Sequence, residues 1–270
     1  MLRCHEDKES EVSRWCPLSG NAPVRSGSRT LIALGYGVIC HVFFLIAVLT
    51  MMVAMFFGMS RSLGGLTSPW SWIANVALLI QFPVLHSLLL SARGRRAITR
   101  MAPRDTGATL VTTTYVTIAA VQVFALFALW SPSGIIWWQA QGVTFVVIVT
   151  LYAASWLLLG LAMTNAGLSV QTGSLGWTSL LRGIKPVYPK MPETGLFRLT
   201  RQPIYVAFAL TLWTVPTWTP DQLVVALVLT AYCLIGPLFK EARFHRVYGA
   251  SFDRYARSVP YWLPLPRKRN

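Results

Sequence analysis

The sequence predicts an all-α, multi-pass helical membrane protein with about six transmembrane helices. Hydrophobic residues make up 54% of the 270 positions and charged residues only 12%, which is about half the charged share of soluble domains. Apolar stretches of about 20 residues recur along the chain, and each is long enough to cross a hydrocarbon core of roughly 30 Å. These stretches are continuous rather than alternating, which favours helices over a transmembrane β-barrel.

The distribution of basic residues predicts the orientation. All but Arg61 of the 24 Lys and Arg residues fall into four polar clusters between apolar runs. If the runs cross in turn, the clusters share one side, and the positive-inside rule then places both termini in the cytoplasm. Anionic lipid headgroups are a sufficient partner for a net charge of +15. We therefore expect a lipid bilayer and no nucleic acid as partner, in the cytoplasmic membrane if the source is bacterial.

The first part of the chain predicts a tail and a scaffold of four helices. Residues 1–29 are polar, with Ser, Pro and Gly, and predict a flexible cytoplasmic tail. The remaining residues, 30–270, are expected to form one domain. Its scaffold (31–164) consists of four apolar runs at about 31–59, 70–90, 108–130 and 135–164. Pro83 predicts a kink in the second run, and the length of the fourth predicts tilt or an interfacial end.

The second part predicts a cytoplasmic loop and a helical hairpin. Residues 165–200 are rich in Gly and Pro, and only Leu175–Arg182 fits a short surface helix. This loop is interpreted either as a lid over a site or as a plain connector. Residues 201–270 form the predicted hairpin and tail, with apolar runs at about 204–217 and 223–239. The first of these runs is short for a full crossing.

Polar residues flank this hairpin at one end. Charge at a membrane rim is costly, so it is rarely accidental. Arginine suits a carboxylate or phosphate, glutamate suits an ammonium or a ribose diol, and tyrosine rings can face an adenine or a sulfonium. These chemistries fit S-adenosylmethionine and in part NADPH, and spacing does not decide between them. No Cys or His spacing predicts a metal site. The residues concerned are Arg201, Tyr205, Glu241, Arg243, His245, Tyr248 and Tyr255.

The C-terminal motifs carry a resemblance to a known family. The segment Arg201-Gln-Pro-x-Tyr205 resembles an R-H-P-x-Y-x-G box, Lys240-Glu241 resembles an E-E pair, and 248–260 resembles F-G-x-x-Y-x-x-Y-x-x-x-V-P. These motifs are typical of integral-membrane methyltransferases related to isoprenylcysteine carboxyl methyltransferase and methanethiol S-methyltransferase. A looser similarity extends over roughly residues 31–264.

The resemblance implies S-adenosylmethionine-dependent methyl transfer to a small thiol or lipophilic acceptor. It implies catalytic roles for Arg201 and Glu241, and for His245 as a general base if that residue faces the pocket. It also implies a cofactor pocket lined by Arg201, Gln202, Pro203, Tyr205, Glu241, Arg243, Tyr248 and Tyr255.

Three positions depart from the family pattern. Gln202 replaces the histidine, Lys240 replaces the first glutamate of the pair, and Ala207 replaces a glycine. Gln202 can still donate and accept hydrogen bonds. Lys240 reverses a charge beside a cationic cofactor. One interpretation is that Lys240 extends to the headgroups and leaves Glu241 alone at the site; the others are a different ligand or lost catalysis.

Two other functions stay open at this point. One is an NADPH-dependent membrane reductase, because sterol reductases share a similar C-terminal pattern and Lys240 would suit a 2′-phosphate. That group carries an Asn before the tyrosine, where this chain has Ile204. The other is a catalytically degenerate relative that serves as a membrane binding or assembly subunit. The same residues also have simpler interpretations as headgroup anchors, interfacial aromatics, or an ion pair of Glu241 with Arg243, Arg246 or Lys240.

Overall fold

The computed structural model describes residues 26–103 and 105–263 and confirms an all-α membrane architecture. Five of its helices, α1, α2, α4, α5 and α9 as defined here, are long and apolar enough to cross a membrane. In chain order the helices are α1 (Ser26–Phe56), α2 (Trp70–Leu89), α3 (Ala92–Met101), α4 (Gly107–Ala128), α5 (Gly142–Asn165), α6 (Leu168–Gln171), α7 (Ser174–Arg182), a 3-10 turn (Gly195–Arg198), α8 (Pro203–Trp213), α9 (Pro220–Tyr248) and α10 (Ala250–Ser258).

The predicted scaffold matches the structure except at two helix starts. The predicted tail lies outside the described residues up to position 25, and its last residues, from Ser26, already belong to α1. The fourth run becomes helical only at Gly142, which has a φ of 54°. Before it, β1 (Trp138–Gln139) pairs antiparallel with β2 (Thr217–Trp218). The first residues of this run are therefore not part of α5, which accounts for the length of the run.

The hairpin is more asymmetric than predicted. Helix α8 has 11 residues and spans about 16 Å, too short to cross a hydrocarbon core of roughly 30 Å by itself. Helix α9 has 29 residues and extends about 43 Å. Helix α9 continues past the predicted end of the apolar run at Phe239 to Tyr248, so the first part of the predicted tail is helical. Basic His245 and Arg246 in its last turn complement the helix dipole.

Small residues allow α1 to approach α4 closely. Ala33, Cys40, Ala47 and Ala54 are all buried and recur every seven residues, so they lie on one face of the helix. Helix α4 is the element that α1 contacts most. Close backbone approach over small side chains is the usual mode of helix packing in membranes.

The short helix predicted in the cytoplasmic loop is confirmed as α7, and it packs against α1 and α4. Its Trp177 donates a hydrogen bond from Nε1 to His41 Nε2 at 3.2 Å. A Cβ on Gly37 would lie 2.8 Å from the Trp177 ring. Glycine at position 37 therefore makes room for the indole, and the loop is anchored to the helical scaffold.

A buried carboxylate fixes the end of the bundle opposite the basic clusters. Asp221, at the start of α9, is 8% exposed. Its Oδ1 accepts a hydrogen bond from Trp130 Nε1 at 3.0 Å, and its Oδ2 accepts bonds from the backbone N of Ser133 at 2.9 Å and its Oγ at 2.6 Å. These bonds tie α9 to the turn that follows α4.

We predict that Asp221→Ala lowers the stability of the protein by about 3 kcal/mol, because the buried Trp130 indole and the two donors of Ser133 lose a charged acceptor. The matched control is Asp253→Ala, which removes a carboxylate that is 42% exposed. Thermal unfolding of both variants in detergent measures the effect. Equal unfolding midpoints for Asp221→Ala and the unaltered chain would contradict this account of the Asp221 bonds.

Candidate active site

A cavity of about 640 Å³ extends from the apolar core of the bundle to the charged segment of α9. Its volume lies in the range of small-molecule sites. The apolar part of its wall includes Met51, Phe82, Val123, Leu126, Phe127, Phe208 and Leu229. The polar part includes His86, Arg95, Lys190, Tyr205, Tyr232, Lys240, Arg243 and Tyr248. The cavity therefore has one apolar end and one basic, aromatic end.

One face of α9 forms the basic wall. Lys240, Arg243, Phe244, Val247 and Tyr248 all line the cavity, and their spacing of three and four residues places them on one side of a helix. The intervening positions 241 and 245 belong to the neighbouring face. They do not line the cavity.

A chain of polar contacts links α9 to the residues that precede α8. Gln202 is 1% exposed, and its Nε2 donates to Glu241 Oε1 at 2.7 Å. Its Oε1 accepts a bond from Lys240 Nζ at 2.5 Å. Arg201 Nε lies 3.2 Å from the same Glu241 oxygen as an ion pair, without an aligned hydrogen bond. One amide therefore bonds a cation at one end and an anion at the other.

The interpretation that Lys240 extends to the headgroups is wrong. Lys240 Nζ lies 5.7 Å from the ring centroids of Tyr205 and Phe244 and 6.0 Å from that of Phe197. Ring faces attract an ammonium at these distances, and the Gln202 bond adds to that attraction. Lys240 thus faces the cavity while Glu241 lies beside it. The partner of Glu241 is Arg201, not one of the three basic residues expected from the sequence.

Residues of the C-terminal motif support the cavity wall through hydrogen bonds made outside the cavity. The backbone N of Arg201 donates to Pro260 O at 3.0 Å, and its Nη1 donates to Ala256 O at 3.2 Å. Tyr255 donates from its hydroxyl to Phe197 O at 2.8 Å. Burial is the main cause that raises the pKa of Tyr255 above its usual value, so this donor keeps its proton at neutral pH. Tyr255 therefore positions Phe197 from outside the cavity lining.

The two histidines near the site have different surroundings. The His245 side chain is 61% exposed and its Nε2 lies 3.3 Å from Asp253 Oδ1, so it does not meet the condition of facing the pocket. His86 lines the cavity, and its Nε2 is 2.7 Å from the Tyr115 hydroxyl. Its Nδ1 has no hydrogen-bond partner among the described residues.

The loop predicted at 165–200 contributes to the wall of the cavity. Tyr188, Pro189, Lys190 and Pro192 line the cavity. The Tyr188 hydroxyl lies 3.0 Å from Thr112 Oγ1, which ties the loop to α4. These loop residues thus close one side of the cavity.

The structure divides the predicted site residues into three groups. Those that line the cavity are Tyr205, Arg243 and Tyr248. Those in or beside the polar chain are Arg201, Gln202 and Glu241, with Pro203 as the first residue of α8. His245 and Tyr255 lie outside the cavity lining. Phe197 and Phe244 also line the cavity and were not predicted as site residues, although Phe244 lies one helical turn after Lys240. Across 26–103 and 105–263, no group of three or more His, Cys, Asp or Glu could hold a metal.

The chain is similar to proteins named methanethiol S-methyltransferase. It is 27% identical to the protein from Pseudomonas deceptionensis, with 76% of this chain and 77% of the relative covered. It is also 27% identical to that from Crocosphaera subtropica (90% and 95% covered), and 26% identical to that from Mycobacterium tuberculosis (73% and 79%). No family model and no solved structure matches the chain. The family resemblance predicted from the C-terminal motifs is therefore confirmed over most of the chain.

We predict that Gln202→Leu lowers the thermal unfolding midpoint by several degrees, since Lys240 and Glu241 each lose a buried hydrogen-bond partner. The matched control is Gln139→Leu, at an exposed position of β1. Thermal unfolding in one detergent compares the two variants. If Gln202→Leu is as stable as Gln139→Leu, the amide bridge does not hold the two charges.

Proposed function

We propose that the chain is an integral-membrane methyltransferase that transfers a methyl group from S-adenosylmethionine to the sulfur of a small thiol. The observation that carries this proposal is the cavity with one basic, aromatic end and one apolar end, built around the motifs of the family resemblance. The relatives named methanethiol S-methyltransferase, which align along most of the chain, support the same reaction.

The basic end of the cavity fits the methyl donor. Arg243 is partly buried and lines the cavity, where a guanidinium can bind the carboxylate of the amino-acid part. Tyr205, Phe244 and Tyr248 offer ring faces to an adenine or a sulfonium. The donor is net positive, and no carboxylate is among the described residues of the lining. Its residual positive charge therefore requires an anion from elsewhere, which a thiolate acceptor provides.

The apolar end of the cavity fits the acceptor. Met51, Leu126, Phe127 and Leu229 belong both to the cavity wall and to the hydrophobic core of the bundle. A small alkyl thiol loses water favourably on entering such surroundings. These four residues are apolar, so no polar side chain among them has to lose water when the alkyl group binds. A short apolar thiol that enters from the membrane therefore suits this end.

The chain promotes the reaction mainly by holding its reactants together. When bound, S-adenosylmethionine supplies an electrophilic methyl group. The residues of α8 and α9 place the donor at the basic end, and the core residues place the acceptor at the apolar end. Holding two reactants in a fixed geometry can contribute roughly 7–11 kcal/mol to a barrier reduction. The loop residues 188–192 help to exclude water from the space between them.

Arginine 243 gives a matched test of donor binding. We predict that Arg243→Gln weakens the binding of S-adenosylhomocysteine about 10- to 100-fold, because a charge-assisted hydrogen bond contributes roughly 1.5–3 kcal/mol. Arg246→Gln on the same helix is the control, since Arg246 is exposed and bonds only to Ala242 O of its own helix in the described structure. Calorimetry on detergent-purified protein measures both.

Methyl transfer itself is tested by incubating the purified protein with S-adenosylmethionine and methanethiol and detecting dimethyl sulfide by gas chromatography. We expect product with the unaltered chain and with Arg246→Gln. Absence of S-adenosylhomocysteine binding together with absence of product would overturn the proposed function. Equal affinities for the two arginine variants would refute the placement of the donor beside Arg243.

A further inference from the structure

Two cations in the cavity wall have no carboxylate partner within residues 26–103 and 105–263. Lys240 and Arg243 both line the cavity, and no described carboxylate lies within ion-pair distance of either side chain. The nearest acidic residue in the chain, Glu241, bonds Gln202 and pairs with Arg201 instead. Partly buried charges without a counter-ion are costly. These two side chains therefore produce a positive potential inside the cavity that only a ligand can neutralise.

Lys240 retains hydrogen-bonding capacity for such a ligand. An ammonium carries three donors. One is used by Gln202 Oε1, and a contact of 3.5 Å with Arg201 O uses at most one more. At least one N–H therefore remains on a nitrogen that borders the cavity.

Neither histidine near the site is well placed to remove a proton from a thiol, since the Nδ1 of His86 is buried. His245 lies outside the cavity lining, and His86 Nε2 is engaged by the Tyr115 hydroxyl. A thiol in water is largely protonated at neutral pH, with a pKa of about 8.5 for cysteine. A nearby cation lowers the pKa of a thiol without any base. The cations of the cavity can thus replace the missing general base.

We propose that Lys240 binds the acceptor sulfur as a thiolate, while Arg243 is neutralised by the carboxylate of the donor. The inference rests on the proposed function and specifies how its acceptor is activated. The S–H bond breaks on binding, its electron pair stays on sulfur beside the ammonium, and the proton goes to bulk water. An opposite charge at about 4–6 Å typically shifts a pKa by 1–3 units, which ionises a bound thiol as acidic as cysteine near neutral pH and raises the thiolate fraction of a less acidic alkyl thiol roughly 10- to 1000-fold.

Other titratable or charged groups face the cavity from α2, α3, α8, α9 and the loop, whereas α1 and α4 line it with apolar residues. They are His86 of α2, Arg95 of α3, Tyr188 and Lys190 of the loop, Tyr205 of α8, and Tyr232, Cys233 and Tyr248 of α9. Any of these that titrates in place of the thiol would give a pH profile that is independent of the thiol used. A comparison of two thiols of different acidity therefore identifies the titrating group.

Proton release tests the proposal without turnover. The protein is saturated with S-adenosylhomocysteine and titrated with trifluoroethanethiol at pH 6.5 by calorimetry in buffers of different ionisation enthalpy, because this thiol is acidic enough for a shift of this size to ionise it on binding. We expect about one proton released per thiol bound. Binding without proton release would overturn the proposal, because the thiol would then bind as the neutral species.

Substitution of Lys240 tests which residue is responsible. Lys240→Met should lose most of the proton release, whereas Lys240→Arg, which keeps the charge, should retain it. Lys185→Met is the control, at an exposed lysine outside the cavity lining. Unchanged proton release in a folded Lys240→Met variant would overturn the role of Lys240.

The pH dependence of kcat gives a second readout, since it reports groups of the substrate complex. In the unaltered protein the acid limb should have its midpoint below the pKa of each thiol in water, and it should shift between ethanethiol and trifluoroethanethiol. Thiolate nucleophilicity falls with its pKa, with a slope of about 0.45. Lys240→Met should therefore be about 3- to 30-fold slower at pH 7 and equally fast or faster at high pH.

These outcomes separate the two proposals. A protein that binds no S-adenosylhomocysteine and forms no dimethyl sulfide refutes the proposed function. A protein that forms dimethyl sulfide, but whose midpoint equals the pKa of each thiol in water, refutes only the thiolate site. This last comparison needs no variant, so it holds even if Lys240→Met does not fold.

Discussion

The amide of Gln202 is the contact on which the site depends. Lys240 and Glu241 are adjacent on α9 with opposite charges, and a partly buried charge requires a partner. Gln202 satisfies both, with its oxygen toward the ammonium and its nitrogen toward the carboxylate. The amide thereby separates the two charges. The Glu241 carboxylate lies between α9 and the segment that precedes α8, and the Lys240 ammonium faces the cavity. The placement of Lys240 in the cavity and of Glu241 beside it is supported by this single side chain.

The C-terminal motif contributes through the backbone more than through the cavity wall. Its Tyr255 hydroxyl bonds Phe197 O, and its Pro260 carbonyl accepts from the Arg201 backbone. These contacts fix the segment that carries Gln202 and begins α8. A residue of a sequence motif can therefore be essential without contacting a ligand. For this reason the motif alone could not tell lining residues from supporting ones.

Hydropathy predicted the long helices well, because burial in lipid requires continuous apolar runs. Hydropathy did not predict the end of α9, because that helix continues into a polar segment. Helix α9 continues past Lys240 because its backbone bonds do not depend on lipid. The helical period places Lys240, Arg243 and Phe244 on one face and Glu241 on the next. The sequence contains that pattern, but which face meets α8 is set by tertiary packing, so the site was predicted with Glu241 facing inward instead of Lys240.

The two departures from the family pattern at this contact are complementary. Two glutamates at 240 and 241 would present only acceptors, and a protonated histidine at 202 offers two donors to match them. With Lys240 the pair presents one donor and one acceptor. The Gln202 amide offers an acceptor to the Lys240 ammonium and a donor to the Glu241 carboxylate, and it reaches both side chains. Random loss of function would not be expected to preserve this match. The pair Gln202 and Lys240 therefore favours a site that has changed its charge and kept its structure over one that has degenerated.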